Sequence, residues 1–228
     1  MRLYKGYRIF QMSLAEALVF RDIRKGRRSL SSGMACRSAV RVRKLRSKTT
    51  FARVSMTDIL SLAELSRLEQ PEFVRRLGAV FEHSPWVMAS AWAKRPFANR
   101  ADFYARLAET LAEAGPEKQL ALIKAHPELA GKAAIRGELT ADSAREQAGA
   151  GLDACTPEEF TAIRSLNDAY REKFGFPFIV AVKGLSRTGI IAEMSRRLTR
   201  SRDEEFAEAL RQIVRIASFR LEDLIAGD

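Results

Sequence analysis

The residues best suited to chemistry lie in one stretch, 126–147, which reads HPELAGKAAIRGELTADSAREQ. It carries His126, one of only 2 histidines in the chain, followed at once by Pro127. Further along come Ser143, Glu146 and Gln147 in a Ser-x-x-Glu-Gln spacing. A histidine titrates near neutral pH and can take or give a proton where a substrate needs one. A nearby carboxylate can orient it, raise its pKa or accept a substrate's N–H groups. A plainer reading competes. Ser143-Ala144-Arg145-Glu146 also has the spacing of a capping box, in which both side chains only satisfy helix N–H groups. A lone histidine beside a proline is more often structural than catalytic. The N–H groups of such a helix start would also suit an anionic or carbonyl-rich ligand, so the two readings are compatible.

Other chemistries find little support. There is no HExxH pair, and Cys36 and Cys155 are too far apart for a metal cluster or a disulfide framework. No GxGxxG, Walker loop or GxSxG elbow occurs. What remains is acid–base chemistry with no metal and no organic cofactor. Scarce cysteine fits a reducing compartment. With no secretory signal, and an Ala-Gly-Asp ending that is not a peroxisomal address, the expected location is the cytoplasm.

The elements that must position these residues read as helices. Ile59, Leu60, Leu62, Leu65 and Leu68 make a short helical stripe over 57–69. Pro71 and then Pro85 open two more helices, the first with Phe73, Val74, Leu77, Val80 and Phe81 on one face. Trp86 and Trp92 read as core, and His83 as a residue near a helix C-terminus. Phe103, Leu107 and Leu111 line a helix over 100–114, ended by Gly115, and Pro116 begins the next. Pro127 disfavours helical geometry at His126, which is therefore expected at a helix end or in an extended turn. Thr156, Pro157 and Glu159 form a full capping box for a helix that Gly175 ends. FPFIVAV, residues 176–182, is a solitary β-like run and reads as a buried extended segment. Helices are expected over 187–198 and 203–225, with Phe206, Leu210, Ile213, Val214, Ala217, Leu221 and Leu224 on the buried face of the last and Arg220 beside it. The fold class is all-α: a single domain of seven or eight helices with one short extended segment, spanning residues 56–228.

Net charge separates this domain from what precedes it. Of the chain's 39 Lys/Arg and 28 Asp/Glu, residues 1–55 hold 15 and 2, leaving 24 and 26 for 56–228. The net +11 is thus an N-terminal property, and no nucleic-acid partner is expected for the body. Residues 1–55 are expected to form a basic, disordered extension. They could also be a nucleic-acid or lipid-binding arm, a targeting peptide, or an extension upstream of a true start at Met56. No apolar run approaches the ~20 residues needed to span a bilayer, so no membrane segment is expected.

The sequences AHPELAG (125–131), RGELTADSAREQAGAGL (136–152), NDAYREKFGFPFIVAVKG (167–184) and SFRLEDL (218–224) resemble those of the OHCU decarboxylase family. EHSPWVMASAWAKRPF (82–97) is also similar. The resemblance runs from about Met56 to the C-terminus. It implies an all-helical, cofactor-independent enzyme, usually a homodimer, that decarboxylates 2-oxo-4-hydroxy-4-carboxy-5-ureidoimidazoline to (S)-allantoin in urate breakdown. It makes His126 the catalytic histidine, with Glu146 beside it. It implies a substrate site lined by Pro127, Ser143, Ala144, Arg145, Glu146 and Gln147, by the backbone of Phe178, Ile179, Val180, Ala181 and Val182, and by Arg220. The expectation for each role is His126 as donor of the proton that gives one enantiomer, Glu146 as hydrogen-bond partner of the substrate and holder of the histidine's protonation state, Gln147 and the 178–182 amides as holders of its ureido and ring carbonyls, and Arg220 as partner of the anionic substrate or a neighbouring carboxylate. The alternative from another class is a helical interaction module whose basic arm binds nucleic acid or membrane.

Overall fold

The computed structural model describes residues 59–226. The basic extension and the domain boundary expected at Met56 lie outside the described residues. Among the described residues the chain is all-α, with ten α-helices, two short 3-10 turns and one isolated bridge. The helices are α1 (Leu62–Arg67), α2 (Gln70–Leu77), α3 (Trp86–Trp92), α4 (Arg100–Glu113), α5 (Pro116–Ala125), α6 (Lys132–Arg136), α7 (Ala141–Gly149), α8 (Pro157–Phe174), α9 (Arg187–Arg197) and α10 (Arg202–Glu222). None of them is long and apolar enough to cross a membrane.

Helix α10 is the axis of the packing. It lies against α4, α5, α8 and the 3-10 turn Gly78–Val80, which brings Arg220 to the middle of the molecule. Its start is fixed by a capping box between Ser201 and Glu204. Ile213, Ala217 and Leu221 are buried on its inner face, while Phe206, Leu210 and Val214 pack at the margin of the core. The helix stops at Glu222, short of the expected 225. Leu224 is therefore 41% exposed instead of lining the buried face, and Ile225 leaves the helix to bridge Leu60.

The same bridge corrects the first helix. Leu60 is extended and paired, Ile59 is 61% exposed, and α1 begins only after Ser61, whose side chain forms a capping box with Glu64. The stripe over 57–69 is thus part pairing segment and part helix. The helix count exceeds the expected seven or eight because two helices form in the central stretch: α6, five residues with no buried side chain, and α7, which buries only Ser143 and Gln147, so apolar periodicity signals neither.

Elsewhere local chemistry sets the boundaries. Thr156 and Glu159 close the capping box of α8, Pro157 occupies its first turn, and Gly175 ends it at φ +77° in the left-handed region. Beyond Gly175, residues 177–182 carry neither helix nor strand and are held against α8, α9 and α10. Trp92 packs against the core and donates its indole N–H to Leu68 C=O at 2.9 Å. His83 sits exposed in the turn before α3 at φ +47°, two residues past Phe81, the C-cap of the 3-10 turn Gly78–Val80.

Candidate active site

His126 follows α5 directly. Its backbone is extended (φ −78°, ψ 137°), as Pro127 requires, and its side chain is 8% exposed. Its Nδ1 lies 2.8 Å from Leu122 C=O. A carbonyl only accepts, so Nδ1 carries the proton and Nε2 presents its lone pair. Among the described residues Nε2 has no protein partner. Burial pushes the His126 pKa down; the Leu122 bond and the Glu82 charge pull it up and Arg220 and His83 push it down, and the net shift is downward from 6.5. The ring is therefore neutral at neutral pH.

The loop after His126 is folded tightly upon itself. Ala130 takes φ +47°, and a Cβ on Gly131 would sit 2.8 Å from Glu128 Cβ, so only glycine fits without a shift. Gln147 ties this loop to α7: its Oε1 accepts Ala130 N–H at 3.0 Å and its Nε2 donates to Glu128 C=O at 3.5 Å. Asn167 of α8 donates to Leu129 C=O at 2.9 Å. The amide expected to hold substrate is committed largely to shaping the loop.

Helix α7 does not begin with Ser143. Thr140 is its N-cap, accepting Ser143 N–H at 3.4 Å while donating its own hydroxyl to Glu82 Oε1 at 2.7 Å. Ser143 is thereby freed from capping. Its hydroxyl donates to Glu82 Oε2 at 3.0 Å and accepts from Arg220 Nη2 at 3.2 Å.

Arg220 is the keystone. Its Nε and Nη2 clasp both oxygens of Glu146 at 2.6 and 2.8 Å. Its Nη1 donates to Val80 C=O and to Glu82 Oε2, both at 3.1 Å. With the Ser143 contact, all five guanidinium donors are engaged within the protein. Glu146 and Glu82 raise the Arg220 pKa against the lowering effect of burial. Glu82 is 2% exposed; burial pushes its carboxyl up, and the bonds from Thr140, Arg220 and Ser143 outweigh this and hold it below the ordinary range.

These groups surround one cavity of about 30 Å3. His126, Ser143, Glu146, Gln147 and Arg220 form its polar side, and Pro127, Phe178, Ile179, Val180 and Val182 its apolar side, together with Leu129 and Ile216. Glu146, Val182, Ile216 and Arg220 also line an adjoining recess of about 400 Å3. Arg145 and Ala181 line only that recess, and Ala144 is on the exposed face of α7 and lines neither. Arg145 is ion-paired with Asp142 one turn before it. Among the described residues no three His, Cys, Asp or Glu side chains are grouped as metal ligands would be.

Three lining or supporting residues escape the sequence reading: Glu82, Leu129 and Ile216. Glu82 did leave a signal. It is an acidic residue set directly after the apolar Val80 and Phe81 and before the restart at Pro85, a position where a carboxylate needs a partner once buried.

Residues 66–222 match the protein-family model described as OHCU decarboxylase. The 2-oxo-4-hydroxy-4-carboxy-5-ureidoimidazoline decarboxylase of Halalkalicoccus jeotgali is 41% identical over 165 residues, 72% of this chain and 92% of that protein. The uric acid degradation bifunctional protein PucL of Bacillus subtilis is 38% identical over 167 residues, 73% of this chain and 33% of that protein. Among solved structures, the crystal structure of (S)-allantoin synthase is similar with a TM-score of 0.57 and 26% identity, covering 73% of this chain and 54% of that one.

Proposed function

The chain belongs to the OHCU decarboxylase family, and we propose that its His126 chamber converts 2-oxo-4-hydroxy-4-carboxy-5-ureidoimidazoline to (S)-allantoin and CO2 in urate breakdown. The substrate carries its carboxylate and a hydroxyl on one ring carbon. The adjacent ring carbon bears the ureido group and is doubly bonded to nitrogen. When CO2 leaves, its electron pair forms a double bond between the two carbons. The C=N pair moves onto nitrogen, which takes a proton. The resulting enol then gives up its hydroxyl proton and gains one at the ureido-bearing carbon, which fixes the enantiomer.

His126 suits both halves of that last step. As a neutral imidazole it accepts the hydroxyl proton at Nε2; as the imidazolium so formed it delivers a proton to the ureido-bearing carbon on the face it borders. General acid–base transfer of this kind is worth roughly 10²–10⁴ in rate. The observation that carries the reading is the Nδ1–H bond to Leu122 C=O, which leaves Nε2 as the free nitrogen on a ring that lines the cavity. This changes the order of the expected role, since the ring is a base first and a donor second.

Glu146 takes the substrate's N–H groups with the lone pairs that Arg220 leaves open. Arg220 acts through Glu146 and Glu82 instead of clasping the substrate carboxylate, because its five donors are occupied. The enzyme needs neither metal nor organic cofactor for these steps. It works as a homodimer, as the family resemblance implies, and in the cytoplasm, in keeping with its scarce cysteine.

The test is a coupled assay. Urate oxidase and the following hydrolase generate the unstable substrate in situ, and circular dichroism follows the enantiomer formed. Rapid appearance of (S)-allantoin supports the reading; racemic allantoin at the spontaneous rate from folded protein overturns it.

A further inference from the structure

The apolar wall formed by residues 178–182 is held from behind by two side chains that stand outside the cavity. On one side, Arg197 of α9 is 0% exposed and donates from Nη1 to Ile179 C=O at 2.8 Å. It is locked there by Glu205, also 0% exposed, to which Tyr170 donates its hydroxyl, and its guanidinium lies over the Phe178 ring at 4.4 Å. Two residues further on, Ala181 N–H donates to Gln212 Oε1 of α10 at 3.0 Å. A backbone N–H only donates, so the oxygen of the Gln212 amide must face it. The amide NH2 is then turned to Glu208 Oε1, 2.7 Å away.

Ile179 C=O and Ala181 N–H are thus both engaged on the α9–α10 side. In an extended chain the backbone groups of neighbouring residues point in opposite directions. The residue between them, Val180, is 8% exposed and lines the cavity. Among the described residues its N–H and C=O make no hydrogen bond within the protein. A buried donor and acceptor left open on one residue are costly unless something else pairs with them.

We infer that Gln212 and Arg197 are positioning residues that turn the Val180 N–H and C=O into the chamber, where they read the N–H and C=O edge of the ureido group as a neighbouring strand would. The inference rests on the decarboxylase reading and adds to it a specificity device. A ureide presents an acceptor and a donor side by side, matching the paired donor and acceptor of one extended residue. A substrate with an ester or alkyl group at that position would leave one or both unpaired. Among the described residues Gln212 hydrogen-bonds only Ala181 and Glu208, and it does not line the cavity, so its effect on turnover passes through the backbone.

The experiment uses the full chain with Gln212→Met, which keeps the side-chain length and removes the acceptor. Arg197 is a poorer target, because its loss would leave Glu205 charged and buried. Since Val180 binds substrate and product alike, KM and the inhibition constant for (S)-allantoin are expected to rise about tenfold, while kcat changes by less than about threefold. The double exchange of Glu208→Gln with Gln212→Glu restores an acceptor for Ala181 N–H and a donor–acceptor pair between the two positions, and is expected to bring both constants back. Unchanged constants in a folded Gln212→Met variant overturn the inference, as does a loss that the double exchange does not repair. If wild-type protein itself forms no (S)-allantoin, it is the decarboxylase reading that falls, and the inference with it.

Discussion

At the scale of single residues the site depends on a neutral histidine. Burial lowers the His126 pKa from 6.5, so the acid form appears only below that value. Activity requires the base form, and it is therefore retained at neutral pH and lost as the pH falls. The acid limb of kcat/KM is expected below pH 6.5, and a limb centred above it would contradict the assignment of base first. The same shift enters stability. The unfolded chain binds the proton more readily, so this contribution is present above pH 6.5 and is lost as the pH falls through the lowered folded value. His126 was legible in the sequence by its scarcity and its proline, whereas Arg220 entered the site only through the family resemblance. Glu82 left only the signal of an acid set against Val80 and Phe81; what makes it part of the site is Arg220, 138 positions away. Spacing along a chain cannot report a partner met only after folding. Gln147 was read as a ligand for the substrate, but the loop it clamps exists only in the folded chain.

At the scale of elements, boundaries written in local chemistry were readable and those set by distant contacts were not. The Thr156 box, the Pro127 stop and the Gly175 end all use side chains within a few residues of the boundary. The stripe over 57–69 failed because Leu60 pairs with Ile225 from the far end of the domain. The Ser143 box failed because Thr140 lies three positions earlier with the right backbone and a better use, capping α7 while binding Glu82. Gly175 offers a clean test of such a boundary, since it holds φ +77° and an added Cβ would meet no atom within 4 Å. Gly175→Ala should therefore cost backbone strain alone, about 1–2 kcal/mol of unfolding free energy. Urea denaturation measures it, and a loss below about 0.5 kcal/mol would show that the end of α8 tolerates a side chain in that geometry.

At the scale of the molecule, the site draws on the beginning, middle and end of the helical body: Glu82 before α3, His126 after α5, Glu146 on α7, residues 178–182 after α8 and Arg220 on α10. The paired ends, Leu60 with Ile225 and Arg100 Nη2 with Ile225 C=O at 2.7 Å, hold that assembly closed. Residues 1–55 contribute charge that the body lacks, and the interaction-module alternative needs them to dominate function. A fragment comprising 56–228 is expected to keep the decarboxylation rate of the full chain; a fragment that folds yet loses turnover would assign the extension a catalytic part. The central claim is that His126 hands a proton to one face of the ureido-bearing carbon. The most direct measurement compares wild type with His126→Ala in the coupled circular dichroism assay, after far-ultraviolet spectra have shown both to be equally helical. The account predicts rapid (S)-allantoin from wild type and, from the variant, a rate lower by at least about 10²-fold with racemic product. Rapid formation of the (S) enantiomer by His126→Ala would contradict it.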